Sequence, residues 1–217
     1  EMCIRDSVMS KLAFIFPGQG AQKAGMGKDF YENSEAARSF FDQAQKILDF
    51  DLKEMCFGEH EELNLTEYTQ PCMVSVCLAI VQELKKRGIN PDITAGLSLG
   101  EYAAVAAADG MNELDAIKLV RRRGILMQST VPAGEGAMAA VLGLDAKKIE
   151  EILESFENVW IANYNCPGQI VITGLTNEVQ QASLALKEAG AKRVVELKVS
   201  GPFHSLLLKP AGEALLK

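Results

Sequence analysis

The chain has 217 residues, 48% of them hydrophobic, which suffices for one large core or for one core plus a smaller subdomain. A net charge of −7 gives no basic stripe to neutralise phosphates, so nucleic acid is not an expected partner. No apolar stretch reaches the length of a membrane span, the run from Ala103 to Ala108 being too short, so no membrane association is expected.

Five cysteines (Cys3, Cys56, Cys72, Cys77 and Cys166) follow no framework spacing and form no C-x-x-C. They predict reduced thiols in a cytoplasmic protein. With only His60 and His204 as histidines, a zinc site is not expected.

Glu1 to Val8 shows neither a signal-peptide pattern nor a periodicity joining it to the strand after it. Residues 1–9 therefore read as a leader foreign to the fold, with Met9 as the natural start. Leu12 to Phe16 is a short apolar run expected as a buried parallel strand, ended by Pro17. Gly18 to Gly27 is a Gly-rich loop. Ser34 to Leu48 reads as an amphipathic helix with Ser34 as N-cap. Gln70 to Arg87 reads as a second, more apolar helix, ended at Gly88. Ile93 to Leu97 is a strand, Ser98 opens a helix to Ala108, and Glu113 to Gln128 is another helix.

From Gly136 the texture changes. Strands are expected at Ala137 to Leu142, Val159 to Asn163, Gln169 to Thr173 and Arg193 to Val199. Helices are expected at Ala146 to Phe156 and Asn177 to Ala189, and Pro167-Gly168 makes a hairpin turn. The order β-α-β-β-α-β is that of a ferredoxin-like unit. The expected fold class is therefore α/β: a hydrolase-like parallel-sheet body over 10–135, an inserted ferredoxin-like subdomain over 136–199, and a return to the body over 200–217. Leu206 to Lys217 reads as an opening helix inside which the chain stops.

Gly96-Leu97-Ser98-Leu99-Gly100 matches G-x-S-x-G between a strand and a helix. A tight turn there exposes the hydroxyl, the glycines relieve crowding, and the helix N-terminus stabilises negative charge, with the N–H of Leu99 aimed at a developing oxyanion. Ser98-Leu99-Gly100-Glu101 is equally a capping box, in which the serine only caps the helix. The pair of glycines, which a cap does not need, favours the nucleophile. His204, the only histidine after Ser98, comes after a Gly-Pro turn and is the candidate base. His60, among Glu59, Glu61 and Glu62, reads as a surface residue.

Phe16-Pro17-Gly18-Gln19-Gly20-Ala21-Gln22 is not a dinucleotide loop, because the third glycine would fall on Lys23. Nor is it a P-loop, since it lacks a G-K-[S/T]. Such a loop can instead offer a second backbone N–H to an oxyanion. On Glu113 to Gln128, at about 100° per residue, Ala116, Ile117, Val120, Gly124 and Met127 form an apolar stripe. Arg122 falls opposite, while Arg123 falls inside the stripe. A buried guanidinium needs an anion, supplied by an internal carboxylate or by a substrate carboxylate.

Phe16-Pro17-Gly18-Gln19-Gly20, Gly96 to Glu101, Arg123-Gly124, Asn163 to Gln169 and Pro202-Phe203-His204-Ser205 together resemble the malonyl-CoA:acyl carrier protein transacylases, acyltransferases of fatty-acid and polyketide synthesis. The likeness runs from Lys11 to Lys217. It implies that Ser98 is acylated, that His204 takes and returns its proton, and that the N–H groups of Gln19 and Leu99 form the oxyanion hole. It further implies that Arg123 binds the malonyl carboxylate, with Gln70 of Thr69-Gln70-Pro71 nearby. Malonyl-CoA and an acyl carrier protein would be the partners, and no cofactor or metal is required. The family often has histidine where this chain has Leu97, and it continues past Lys217 with closing strands and a glutamine that orients the histidine. Two readings compete with acyl transfer: a serine esterase or thioesterase using the same nucleophile, which would not need Arg123, and an inactive truncated fragment.

Overall fold

A computed structural model describes residues 11–132, 134–197, 199 and 201–217. The expected leader at 1–9 lies outside the described residues, as do Lys198 and Ser200. The chain forms two compact units, one through His60 and over Pro71–Val120, the other over Glu61–Gln70 and Arg121–Lys217. These units cut the chain at different points from the segments expected at 10–135, 136–199 and 200–217, because two long helices each contribute residues to both. Among the described residues no helix is long and apolar enough to cross a membrane.

In the first unit, β1 (Ala13–Phe16) pairs in parallel with a strand some 80 positions later, and the chain between them carries helices. This is the crossover that a parallel pair requires. The helices are α1 (Lys28–Asn33), α2 (Glu35–Gln45), α3 (Leu52–Phe57) and α4 (Thr66–Lys86). Ser34 caps α2 as expected, accepting from the Ala37 N–H at 3.0 Å, and the helix buries Ala37, Phe40, Phe41 and Ala44. Gly88, with φ 76°, ends α4. The short α1 and α3 were not anticipated. Each is a six-residue helix, too short for a hydrophobic period to show.

Helix α4 begins at Thr66, one turn before the expected Gln70. Pro71 sits inside the helix. Proline has no N–H to give the carbonyl four residues back, that of Glu67. The Arg121 guanidinium donates to that carbonyl at 2.7 Å. The helix thus continues through a proline because a side chain replaces the lost backbone donor.

Strand β2 (Ile93–Gly96) lies beside β1 in the register Ala13↔Ile93 to Phe16↔Gly96. The pair is fastened at both ends. The Leu12 N–H donates to the Asp92 carboxylate at 2.7 Å, and the Leu97 N–H donates to Phe16 O at 3.1 Å. Helices α5 (Gly100–Ala107) and α6 (Glu113–Thr130) come next.

The second unit holds a four-stranded antiparallel sheet of β3 (Gly136–Leu142), β4 (Val159–Cys166), β5 (Gln169–Leu175) and β6 (Arg193–Glu196), in the order β4-β5-β3-β6. Helix α7 (Ala146–Leu153) leads to β4, and α8 (Thr176–Glu188) leads to β6. Alternation along β3 divides the core. Ala137, Ala139 and Val141 pack with Ile170 and Ile172 against Ile149 of α7 and Val179, Ala182 and Leu186 of α8. Met138 and Ala140 pack with Val171 against Phe203 on the other face. The two-residue turn at Pro167-Gly168 is as expected, with Gly168 at φ 79°. The chain closes with a 3-10 turn at Leu206–Leu208 and α9 (Lys209–Leu215).

Candidate active site

Ser98 stands between β2 and α5 with φ 52°, in the left-handed region that residues with a Cβ rarely adopt. A capping residue has extended backbone instead. The capping position of α5 is occupied by Leu99, whose side chain makes no cap. The backbone of Ser98 is thus not that of an N-cap residue.

The two glycines of the motif are steric requirements. A Cβ on Gly96 would lie 2.1 Å from the Gly100 carbonyl carbon, and one on Gly100 would lie 2.3 Å from Phe16 O. The first turn of α5 thus sits directly against the ends of both strands. Gly18 repeats the pattern, since a Cβ there would lie 2.8 Å from Leu97 O. The turn after β1, which carries Gln19, is held against the turn after β2, which carries Ser98 and Leu99. Gly100 N bonds Leu97 O at 2.9 Å, Glu101 N bonds Ser98 O at 3.1 Å, and Tyr102 N bonds Leu99 O at 3.2 Å. These bonds occupy the next three N–H groups, and that of Leu99 stands at the tip of the helix, where the dipole favours negative charge. Ser98, Leu99 and Gln19 are thereby brought to one end of the parallel pair.

Arg123, Gln70 and His204 belong to the second unit. The stripe on α6 is as expected, with Ala116, Ile117 and Val120 fully buried. Arg122 is exposed. Half-buried Arg123 donates from Nη1 to Gln70 Oε1 at 2.8 Å. Glu67 pairs with Arg121, at 3.3 Å. The approach of α6 to the first turn of α4 depends on Gly124, where a Cβ would lie 2.7 Å from Thr66 O and 2.8 Å from Glu67 Cα. The Arg-Gly pair thus serves two ends: the glycine admits the neighbouring backbone and the arginine reaches Gln70.

His204 comes after a buried Gly201-Pro202-Phe203 and is itself exposed, with φ 60°. Pro202 lies against Gly136, whose Cβ position would be 2.2 Å from the proline ring. Phe203 is buried on the sheet, and the Ser205 hydroxyl donates to Pro202 O at 2.7 Å. Arg123 and His204 line one cavity of about 190 Å³, with Met127, Leu208, Ala211 and Leu215. His60 bonds Glu54 at 3.0 Å and belongs to the surface. Burial pushes the Cys77 thiol up to about 11, so it is not a nucleophile at neutral pH.

Thr66, which the sequence did not single out, and Met127, expected only as part of the apolar stripe, each touch Gln70. Their i,i+4 spacing to Gln70 on α4 and to Arg123 on α6 was the available signal.

A serine in a left-handed turn between a parallel strand and a helix N-terminus is the arrangement in which one class of enzymes holds a serine nucleophile. Comparison with known proteins narrows it. The profile of the Acyl transferase domain family matches residues 13–217, and the chain belongs to that family. It is 50% identical over 212 residues to a malonyl CoA-acyl carrier protein transacylase of Bacillus subtilis (strain 168), covering 95% of this chain and 67% of that protein. It is 48% identical over 206 residues to one of Staphylococcus aureus (strain MSSA476), covering 93% and 66%. Among solved structures, a malonyl CoA-acyl carrier protein transacylase from Clostridium perfringens superposes with a TM-score of 0.90 at 43% identity, over 95% of this chain and 66% of that one. A malonyl-transacylase solved in complex with a type II polyketide acyl-carrier protein superposes with a TM-score of 0.91 at 40% identity, over 95% and 68%. The chain spans about two thirds of the length of these relatives.

Proposed function

We propose that the protein moves the malonyl group of malonyl-CoA to the phosphopantetheine thiol of an acyl carrier protein, through a malonyl ester on Ser98, in fatty-acid biosynthesis. The observation that carries this reading is the left-handed backbone of Ser98, a conformation that costs free energy and persists where surrounding structure enforces it. The names of the relatives supply the acyl donor and acceptor.

The chemistry is a two-step exchange. The Ser98 hydroxyl attacks the thioester carbon while His204 takes its proton. The carbon–sulfur bond breaks, and coenzyme A leaves with the proton returned from the imidazolium. The carrier-protein thiol then gives its proton to His204 as its sulfur attacks the ester carbon, and the Ser98 oxygen departs with that proton. The N–H groups of Gln19 and Leu99 stabilise the oxyanion in both halves. Arg123 pairs with the malonyl carboxylate, which a plain esterase would leave without a purpose.

In this reading β1 and β2 belong to a hydrolase-like body, and residues 136–199 form a ferredoxin-like subdomain. Its support is the antiparallel strand order β4-β5-β3-β6 with chain order β-α-β-β-α-β.

The test is coenzyme A release from malonyl-CoA with and without holo acyl carrier protein. Release that depends on the carrier thiol, with malonyl appearing on the carrier, is the expected result. Equal release without the carrier would make the protein a thioesterase.

A further inference from the structure

We propose that Thr66, Gln70 and Met127 are positioning residues for the Arg123 guanidinium, and that Gln70 acts through Arg123 rather than on the substrate; the proposal rests on Arg123 being the clamp for the malonyl carboxylate. Gln70 is fully buried. Its oxygen accepts from Arg123 Nη1 at 2.8 Å. Its nitrogen donates to Thr66 Oγ1 at 3.0 Å and to Met127 Sδ at 3.3 Å. A primary amide has two hydrogens and one acceptor oxygen, so both donors are committed and the oxygen faces the cation. No donor of Gln70 is left for a substrate.

The reversed amide would set its NH₂ group against the guanidinium and turn its oxygen to Met127 Sδ, which has no hydrogen to give. Met127 therefore selects the orientation that presents an oxygen to Arg123, and Thr66 accepts from the amide in that orientation. The four residues form a bracket across two helices. Thr66 and Gln70 are one turn apart on α4, and Arg123 and Met127 are one turn apart on α6. Gly124 lets the helices close to this distance, and the Thr66 N–H is itself held by Gln128 Oε1 at 3.3 Å. Arg123 and Met127 both border the cavity that His204 lines. The bond to Gln70 sets the orientation of the guanidinium plane, and an arginine loses less side-chain freedom on binding when it is ordered beforehand.

The experiment measures kcat/KM for malonyl-CoA and for acetyl-CoA in the full chain and its variants. Thr66→Val combined with Met127→Leu removes both acceptors at nearly constant volume. The malonyl-to-acetyl preference should fall roughly tenfold, mainly through KM for malonyl-CoA. Thr66→Ser, which keeps the hydroxyl, should restore most of the preference. Gln70→Glu places a carboxylate where the amide oxygen was, competes for Arg123, and should lower the preference roughly 10²-fold. If the double variant does not fold, Gln70→Glu decides alone. An unchanged preference in these variants, while Arg123→Ala abolishes it, overturns the positioning proposal and leaves the clamp standing. A preference unchanged in Arg123→Ala overturns the clamp itself.

Discussion

Ser98, Gly100, Arg123 and Gly124 show how single residues carry the site, and each has a distinguishable failure. Malonyl and acetyl thioesters differ only in the terminal carboxylate. A charge-assisted hydrogen bond contributes about 1.5–3 kcal/mol, so the two-point pair proposed for Arg123 would discriminate by roughly 10²-fold or more. Arg123→Ala should accordingly lower kcat/KM for malonyl-CoA while leaving or raising that for acetyl-CoA, and steady-state assays with both substrates check it. An equal fall for both would make Arg123 a structural residue. Gly100→Ala should destabilise the fold by about 1–3 kcal/mol, because its Cβ would fall on the Phe16 carbonyl. Gly212 is the internal control. Nothing lies within 4 Å of its Cβ position in α9, so Gly212→Ala should be neutral or stabilising by up to about 1 kcal/mol. Urea titration of both variants measures the difference. At this scale the sequence was informative, since G-x-S-x-G, the stripe containing Arg123 and the sole late histidine were all visible without coordinates. The role of Gln70 was not, because it depends on an amide orientation set by a methionine on another helix.

Elements were legible where a period had room to repeat. Helix α2, the places of β3, β4 and β5 along the chain and the Pro167-Gly168 turn come from alternation and turn chemistry, whereas the start of α4 does not. A proline reads locally as a helix beginning, and only the tertiary contact from Arg121 to Glu67 O shows why the helix passes through it. The strand expected to run to Val199 is assigned only to Glu196, and Lys198 lies outside the described residues. One element carries a pH dependence. Glu178, in the first turn of α8, accepts from Asn158 Nδ2 at 2.8 Å and from Asn158 N at 2.9 Å. The Asn158 side chain, then its backbone N–H, holds the Glu178 carboxyl below its usual range. With the folded value depressed, the stabilisation is present above the unfolded carboxylate value of about 4.3 and is lost as pH falls through the lower folded value. Glu178→Gln should therefore flatten the stability profile below about pH 4.3, as measured by denaturation between pH 6 and roughly pH 3. An unaltered profile would show that the bonds to Asn158 are not linked to folding.

Across the whole molecule, the parallel pair departs from the rule that such strands are covered on both faces. Ile15 is 78% exposed and Ile93 54%. An apolar cavity of about 410 Å³ runs along β1 and the α4 face formed by Met73, Val76, Ile80 and Leu84. Exposed apolar strand surface invites self-association. Light scattering by the 217-residue chain should rise with concentration, and Ile15→Lys should reduce it without lowering the melting temperature. Scattering indifferent to that change would place the association elsewhere. Peptide-mapped mass spectrometry after incubation with malonyl-CoA asks whether the left-handed serine at the β2–α5 turn carries the acyl group. One malonyl adduct is expected, on Ser98, absent in Ser98→Ala and slow to form in His204→Ala, which is the outcome of acyl transfer through this serine. A malonyl group on any other residue, or one that persists in Ser98→Ala, would contradict it.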